Sequence, residues 1–191
     1  MKHFKIYSIM LVLGLLIGAC KTEMVEPIDL NALETGGYIR TVSPYPVSSS
    51  SFTFKTSALS TSKMEFLAEA ITPNFGTLFA SYDLVIKFVD ATPANGTKTT
   101  AQLTLKSIPA SSFTKDPTSG YPRATISISS SEALTATKLV AADISVGDSF
   151  EITGTMKLTN GKSYTNTNTG PNITGGAFYS SPFFYRVNVI Q

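Results

Sequence analysis

Phe150-Glu151-Ile152-Thr153-Gly154-Thr155-Met156-Lys157-Leu158-Thr159-Asn160-Gly161 alternates apolar and polar positions as far as Leu158 and then breaks on Asn-Gly. A period of two sets one face of a strand against a core and the other against solvent, whereas a helix would need a period near 3.6. Asn-Gly leading into the polar run at residues 162–165 predicts a tight hairpin, because both central residues of a type I′ turn need positive φ and these two tolerate it. This stretch places the chain among β proteins.

The same period recurs in both directions. Tyr82, Leu84, Ile86 and Phe88 share one face of residues 82–89, the best candidate for a central strand. Met64, Phe66, Ala68 and Ala70 alternate with Glu65, Leu67 and Glu69; Leu103 and Leu105 alternate within residues 101–108 until Pro109 interrupts the ladder; Ala124, Ile126 and Ile128 alternate with Thr125, Ser127 and Ser129. Residues 38–42, 52–54 and 183–190 complete the strands. Turns are predicted at Pro93-Ala94-Asn95-Gly96 and around Asp116-Pro117-Thr118-Ser119-Gly120. One helix is expected, starting at Ser131 and Glu132 and running to Lys138 or Leu139, since Ala133, Leu134 and Ala136 are good helix formers. Eight or nine short strands punctuated by Gly, Pro and Asn predict an all-β fold: an antiparallel two-sheet Ig-like β-sandwich with at most one short helix, built as one domain from residues 37–191.

The N-terminus has a different character. Lys2 and Lys5 precede an almost wholly apolar run at residues 6–17, too short to span about 30 Å of hydrocarbon comfortably and arranged as the charged and apolar regions of an export signal. Leu16-Ile17-Gly18-Ala19-Cys20 resembles the bacterial lipobox. That resemblance implies cleavage before Cys20, a diacylglycerol thioether on its sulfur, and acylation of the new N-terminus; at about 0.8 kcal/mol per buried CH₂, two or three chains anchor a protein stably. Residues 1–19 are then a lipoprotein signal peptide and residues 20–36 a lipidated tether, with Glu23, Glu26, Asp29 and Glu34 making it acidic.

Composition excludes much chemistry. Loss of Lys2 and Lys5 takes Lys+Arg from 15 to the same number as Asp+Glu, 13, so the mature domain has no net positive field and nucleic acid is excluded as the main partner. His3 is the only histidine and leaves with the signal, Cys20 is the only cysteine, and tryptophan is absent. No Ser-His-Asp or Cys-His arrangement and no Cys/His zinc or haem site can be assembled, and no cofactor, metal site or catalytic residue is expected. With no second cysteine the exported domain has no internal disulfide, so its stability rests on a packed core.

Three constellations remain. Asp143 and Asp148 flank Ile144-Ser145-Val146-Gly147, a spacing unlike an EF-hand loop and better explained by capping or turn duties than by calcium. Glu65 and Glu69 fall on one strand face about 13 Å apart, too far for the roughly 5–9.5 Å of a glycosidase pair, and read as a solvated face. Residues 164–185 combine Asn, Thr and Gly with Phe178, Tyr179, Phe183, Phe184 and Tyr185; most of these rings read as core, and Tyr179 is the choice for a ligand-facing ring, with Tyr121, beside the Asp116–Gly120 turn, as a loop candidate.

Gly36-Gly37-Tyr38-Ile39-Arg40-Thr41, Asp90-Ala91-Thr92-Pro93-Ala94-Asn95-Gly96, Ile108-Pro109-Ala110-Ser111-Ser112-Phe113 and Phe178-Tyr179-Ser180-Ser181-Pro182-Phe183 resemble segments of surface lipoproteins of Bacteroidota-type bacteria, a family without an established catalytic motif. Such proteins often accompany paired outer-membrane transporters and substrate-binding lipoproteins of the starch-utilisation type. The resemblance implies a non-enzymatic accessory or binding component of nutrient uptake. Its partners would be the membrane, through the lipid anchor, an outer-membrane transporter or substrate-binding lipoprotein, and a glycan or peptide ligand. Its place would be the outer membrane, at the cell surface or on the periplasmic face. The alternatives from other classes are a carbohydrate-binding module, which needs an exposed row of rings, and a carboxylate-based hydrolase.

Overall fold

The computed structural model describes residues 36–92 and 96–191; the signal peptide, Cys20, the tether up to Thr35 and the Pro93-Ala94-Asn95 part of the predicted turn lie outside them. Among the described residues ten strands form: β1 (Tyr38–Ser43), β2 (Phe52–Lys55), β3 (Lys63–Ile71), β4 (Phe79–Val89), β5 (Leu103–Pro109), β6 (Thr114–Lys115), β7 (Pro122–Ser129), β8 (Ser149–Leu158), β9 (Ser163–Tyr164) and β10 (Phe184–Ile190). They build two sheets, β1-β3-β7-β6 and β2-β10-β8-β4-β5, with β9 paired to β8. This is an all-β sandwich with few helices.

The core is the set of inward faces that the alternation marks. Met64, Phe66, Ala68 and Ala70 of β3 and Ile126 and Ile128 of β7 face Tyr82, Leu84, Ile86 and Phe88 of β4, Phe150, Ile152 and Met156 of β8, and Tyr185, Val187 and Val189 of β10, all of them buried. Each large apolar side chain so buried contributes about 1.5–3 kcal/mol. The sheets are joined by rings: Phe66 of β3 stacks on Tyr185 of β10 with centroids 5.0 Å apart. β4 is central as expected, paired to β8 from Phe79 to Val89 and to β5 on its other side. Gly154 of β8 is glycine for a specific reason: the Tyr82 ring lies across it, and a Cβ there would stand 2.0 Å from Tyr82 Oη.

The helix α1 (Ser130–Thr137) forms where its capping pattern places it. Ser129 Oγ accepts the Glu132 N–H while the Glu132 carboxylate accepts the Ser129 N–H, and Lys138 closes the helix in the left-handed conformation.

Several expectations are corrected. The pairing is not wholly antiparallel: β2 runs parallel to β10, with Phe52 opposite Val187 and Phe54 opposite Val189. A second helix, α2 (Pro171–Gly175), interrupts the Asn/Thr/Gly-rich segment, because Pro171 needs no N–H partner in a first turn and its φ is already helical. The Asn-Gly hairpin exists but is not type I′: the Gly161 N–H bonds Leu158 O, the Leu158 N–H bonds Lys162 O, and of the turn residues only Gly161 has positive φ, +84°. That is a three-residue loop ending in a glycine bulge. The ladder does stop at Pro109, which is the last residue of β5 and stands opposite Ser81.

Candidate functional site

Three connections reach the end of the sandwich where β3 stops and β4 starts: residues 72–78, residues 116–121 and the long path through α2 to β10. The first is the most constrained. Asn74, Phe75 and Gly76 are all left-handed, with φ of 52°, 56° and 84°. Glycine is at ease there and asparagine tolerates it, whereas a bulky residue is a genuine outlier. The turn is held because Thr72, buried, accepts the Gly76 N–H at its carbonyl and the Leu78 N–H at its hydroxyl, and because Gly76 sits so close to Pro122 that a Cβ would be 2.4 Å from the proline ring. Its result is that Phe75 stands 60 % exposed.

Phe75 is not alone. Its ring packs on Tyr121 at 5.5 Å, with Lys115 Nζ 5.9 Å from its centroid. Tyr38, at the start of β1, meets Tyr179 edge-on at 5.3 Å, and Tyr179 meets Phe178 edge-on at 5.2 Å. Burial raises the pKa of the Tyr38 phenol above its ordinary value, and the Arg40 guanidinium opposes that rise. Phe178, 75 % exposed, and Tyr45, 61 % exposed, line a cavity of about 270 Å³ beside Arg40. All three exposed aromatic rings among the described residues therefore belong to these two groups or line this cavity, and the groups contain both rings chosen from the sequence, Tyr121 and Tyr179, each half-buried. Phe183 and Tyr185, from the same stretch of sequence, are core.

Beneath the rings lies a buried ion cluster. Glu69 is fully buried, not on a solvated face, which corrects the reading of the Glu65 and Glu69 pair. The pairing register sets Arg40 of β1 and Arg123 of β7 on either side of Glu69, one strand away each. Its carboxylate accepts from the Arg40 guanidinium, from Arg123 Nε at 2.7 Å and from Ser119 Oγ. Arg123 also holds Asp116 at 2.9 Å, and the Ser119 N–H bonding Asp116 keeps that carboxyl below its usual range. The network fixes residues 116–121, and with them Tyr121, to the sheet. Glu65 pairs with Lys63 at 2.7 Å near the far end of β3. The sequence signal for the cluster was three charged residues at matching heights on neighbouring strands, visible only once the register is known.

Asp143 and Asp148 serve turns, at the opposite end. Asp148, buried, accepts the Ser145 N–H, the Ala91 N–H and the Thr92 hydroxyl; Asp143 accepts the Val140 N–H and faces Lys98 at 3.4 Å. Among the described residues no three His, Cys, Asp or Glu side chains are grouped to hold a metal ion.

No protein-family model matches the chain, and no curated protein matches it significantly.

Proposed function

We propose that this protein is a lipid-anchored, non-enzymatic lipoprotein of the outer membrane, held at the cell surface through Cys20, whose Ig-like domain acts as an accessory or binding component of nutrient uptake. The observation that carries the binding role is the set of rings, Phe75–Tyr121 and Tyr38–Tyr179–Phe178 on three connections and the start of β1, with Tyr45 beside Phe178 on the connection that follows β1. Exposed rings grouped at one end cost solvation and mark an interaction site more often than they mark chance.

The Ig-like reading is supported by strand order. Named in chain order, β1-β3-β7-β6 reads A-B-E-D, and β2-β10-β8-β4-β5 reads A′-G-F-C-C′, which is the order of the two sheets in immunoglobulin domains. The rings then sit where the B–C, D–E and F–G loops gather. The non-enzymatic reading is supported by the state of the carboxylates nearest the rings: Glu69 is held by two arginines and Asp116 by Arg123, so neither is placed to carry a proton to or from a substrate. A second reading, a carbohydrate-binding module proper, is favoured by the same set of rings.

Crosslinked purification of the intact protein from membranes tests the first reading. It is expected to return an outer-membrane transporter or a substrate-binding lipoprotein, and to return much less with Tyr45→Ala and Phe178→Ala together. Undiminished recovery would remove the rings from the reading, and a native N-terminus that begins at Met1 or carries no fatty acid would remove the anchor.

A further inference from the structure

A separate cleft opens beside Tyr38, on the side where residues 164–173 pass the start of β1. Its volume is about 280 Å³, just below the roughly 300–1,000 Å³ of drug-sized ligand pockets, and Tyr38, Tyr164, Asn168, Thr169 and Ile173 line it. The other lining positions are Gly36, Gly37 and Gly170; at Gly36 and Gly170 a Cβ would meet nothing within 4 Å, so the rim is open backbone. No charged side chain is among the lining residues.

We infer that this cleft binds one neutral sugar ring, taken from a glycan whose remainder extends toward the exposed rings. The inference rests on the binding role proposed above and names its ligand class. A pyranose has an apolar C–H face and an edge of hydroxyls, and the cleft offers both complements. Two tyrosines and Ile173 supply apolar surface. Asn168, Thr169 and the Tyr38 phenol supply polar groups with capacity to spare. Asn168 Oδ1 accepts the Thr165 N–H at 2.7 Å and the Thr165 hydroxyl at 3.4 Å, and Nδ2 donates to Ser163 O at 2.9 Å, which leaves one N–H; Thr169 Oγ1 donates to Thr165 O at 2.6 Å and keeps its acceptor side. Those same bonds fix the loop before any ligand arrives, and Pro171 with the Ile173 N–H bonding Gly170 O at 2.9 Å fixes the next turn. A site already folded loses little freedom on binding. The absence of charge from the lining sets the class: an acidic glycan would enter with no cation to meet it.

The test is calorimetric titration of the full mature chain with neutral oligosaccharides, namely maltoheptaose, cellohexaose, xylohexaose and mannohexaose, and with polygalacturonate and heparin as acidic probes. One neutral probe is expected to bind saturably, and Gly170→Leu and Tyr164→Ala are each expected to weaken it about tenfold or more. Gly170 has a φ of −64° and open space, so the leucine narrows the cleft without straining the backbone. Binding unchanged by both variants, preference for an acidic probe, or a contact from residues 20–35 to Tyr164 in nuclear magnetic resonance spectra that no sugar displaces would each overturn the inference. No sugar binding at all, with transporter recovery still lost in the Tyr45 and Phe178 variant, overturns the sugar cleft and leaves the binding role standing; loss of neither ends both.

Discussion

The two ends of the sandwich treat their buried carboxylates, Asp148 and Glu69, in opposite ways. Where β4 ends and β8 begins, Asp148, Asp90 and Asp143 each accept backbone N–H groups, so the connections there are closed on themselves by hydrogen bonds that water would otherwise make. Where β3 meets β4, Glu69 is buried between two arginines, and the groups turned outward are rings. One end uses charge to satisfy the backbone of its turns, and its exposed large apolar side chains among the described residues are Val140 and Val146, neither of them a ring. The other takes charge inside to brace a loop and leaves aromatic surface to solvent. The difference teaches which end is built for itself and which for something else.

That contrast can be broken by measurement. Glu69→Gln should show the largest effect, a loss of about 3–5 kcal/mol in chemical denaturation, because it strips the partner from two partly buried guanidinium groups; a loss under about 1 kcal/mol would mean the cluster braces nothing. Asp148→Ala should cost about 2 kcal/mol by the same assay, since the Ser145 and Ala91 N–H groups and the Thr92 hydroxyl lose their acceptor. The body between the ends answers to alkali. Burial pushes the Tyr185 phenol up to about 12 and Tyr82 well above its ordinary value of 10. A raised phenol pKa means that the folded state holds its proton where the unfolded state has lost it, so stability is full below about pH 10 and falls as pH climbs toward about 12. Denaturation midpoints at pH 9, 10 and 11 should decline in that order, and more shallowly in Tyr185→Phe. The smallest effect belongs to the ring end: Phe178→Ala should change stability by no more than about 0.5 kcal/mol, as befits an exposed side chain. A larger loss would make that ring part of the packing.

How far each feature was legible follows from its physics. β3, β4, β7 and β8 declare themselves by alternation, and α1 by the helix formers Ala133, Leu134 and Ala136, because these are local patterns; the Ser129 cap that sets its first residue is seen in the structure. β6, only Thr114 and Lys115, has no apolar residue to alternate and exists because β7 offers an edge. The parallel ladder between β2 and β10 is a long-range pairing on which periodicity is silent. Of the rings, Tyr121 and Tyr179 stand out as aromatics in loops, while Phe75 escapes notice although Pro73-Asn74-Phe75-Gly76 sets a lone ring among turn residues, where no strand face can bury it. Glu69 misleads because its burial comes from the loop above it and not from its own strand.

The parallel ladder also governs when the molecule can be finished. β2 comes early in the domain and its ladder partner is the last strand described, so Phe52 and Phe54 have no seat in the sheet until nearly every residue between has emerged from whatever machine delivers the chain. Pairings so distant in sequence form late and slowly. A nascent or threading polypeptide thus stays open along this seam, and completion of the last strand acts as a clasp that shuts a sandwich the rest of the chain can only half assemble.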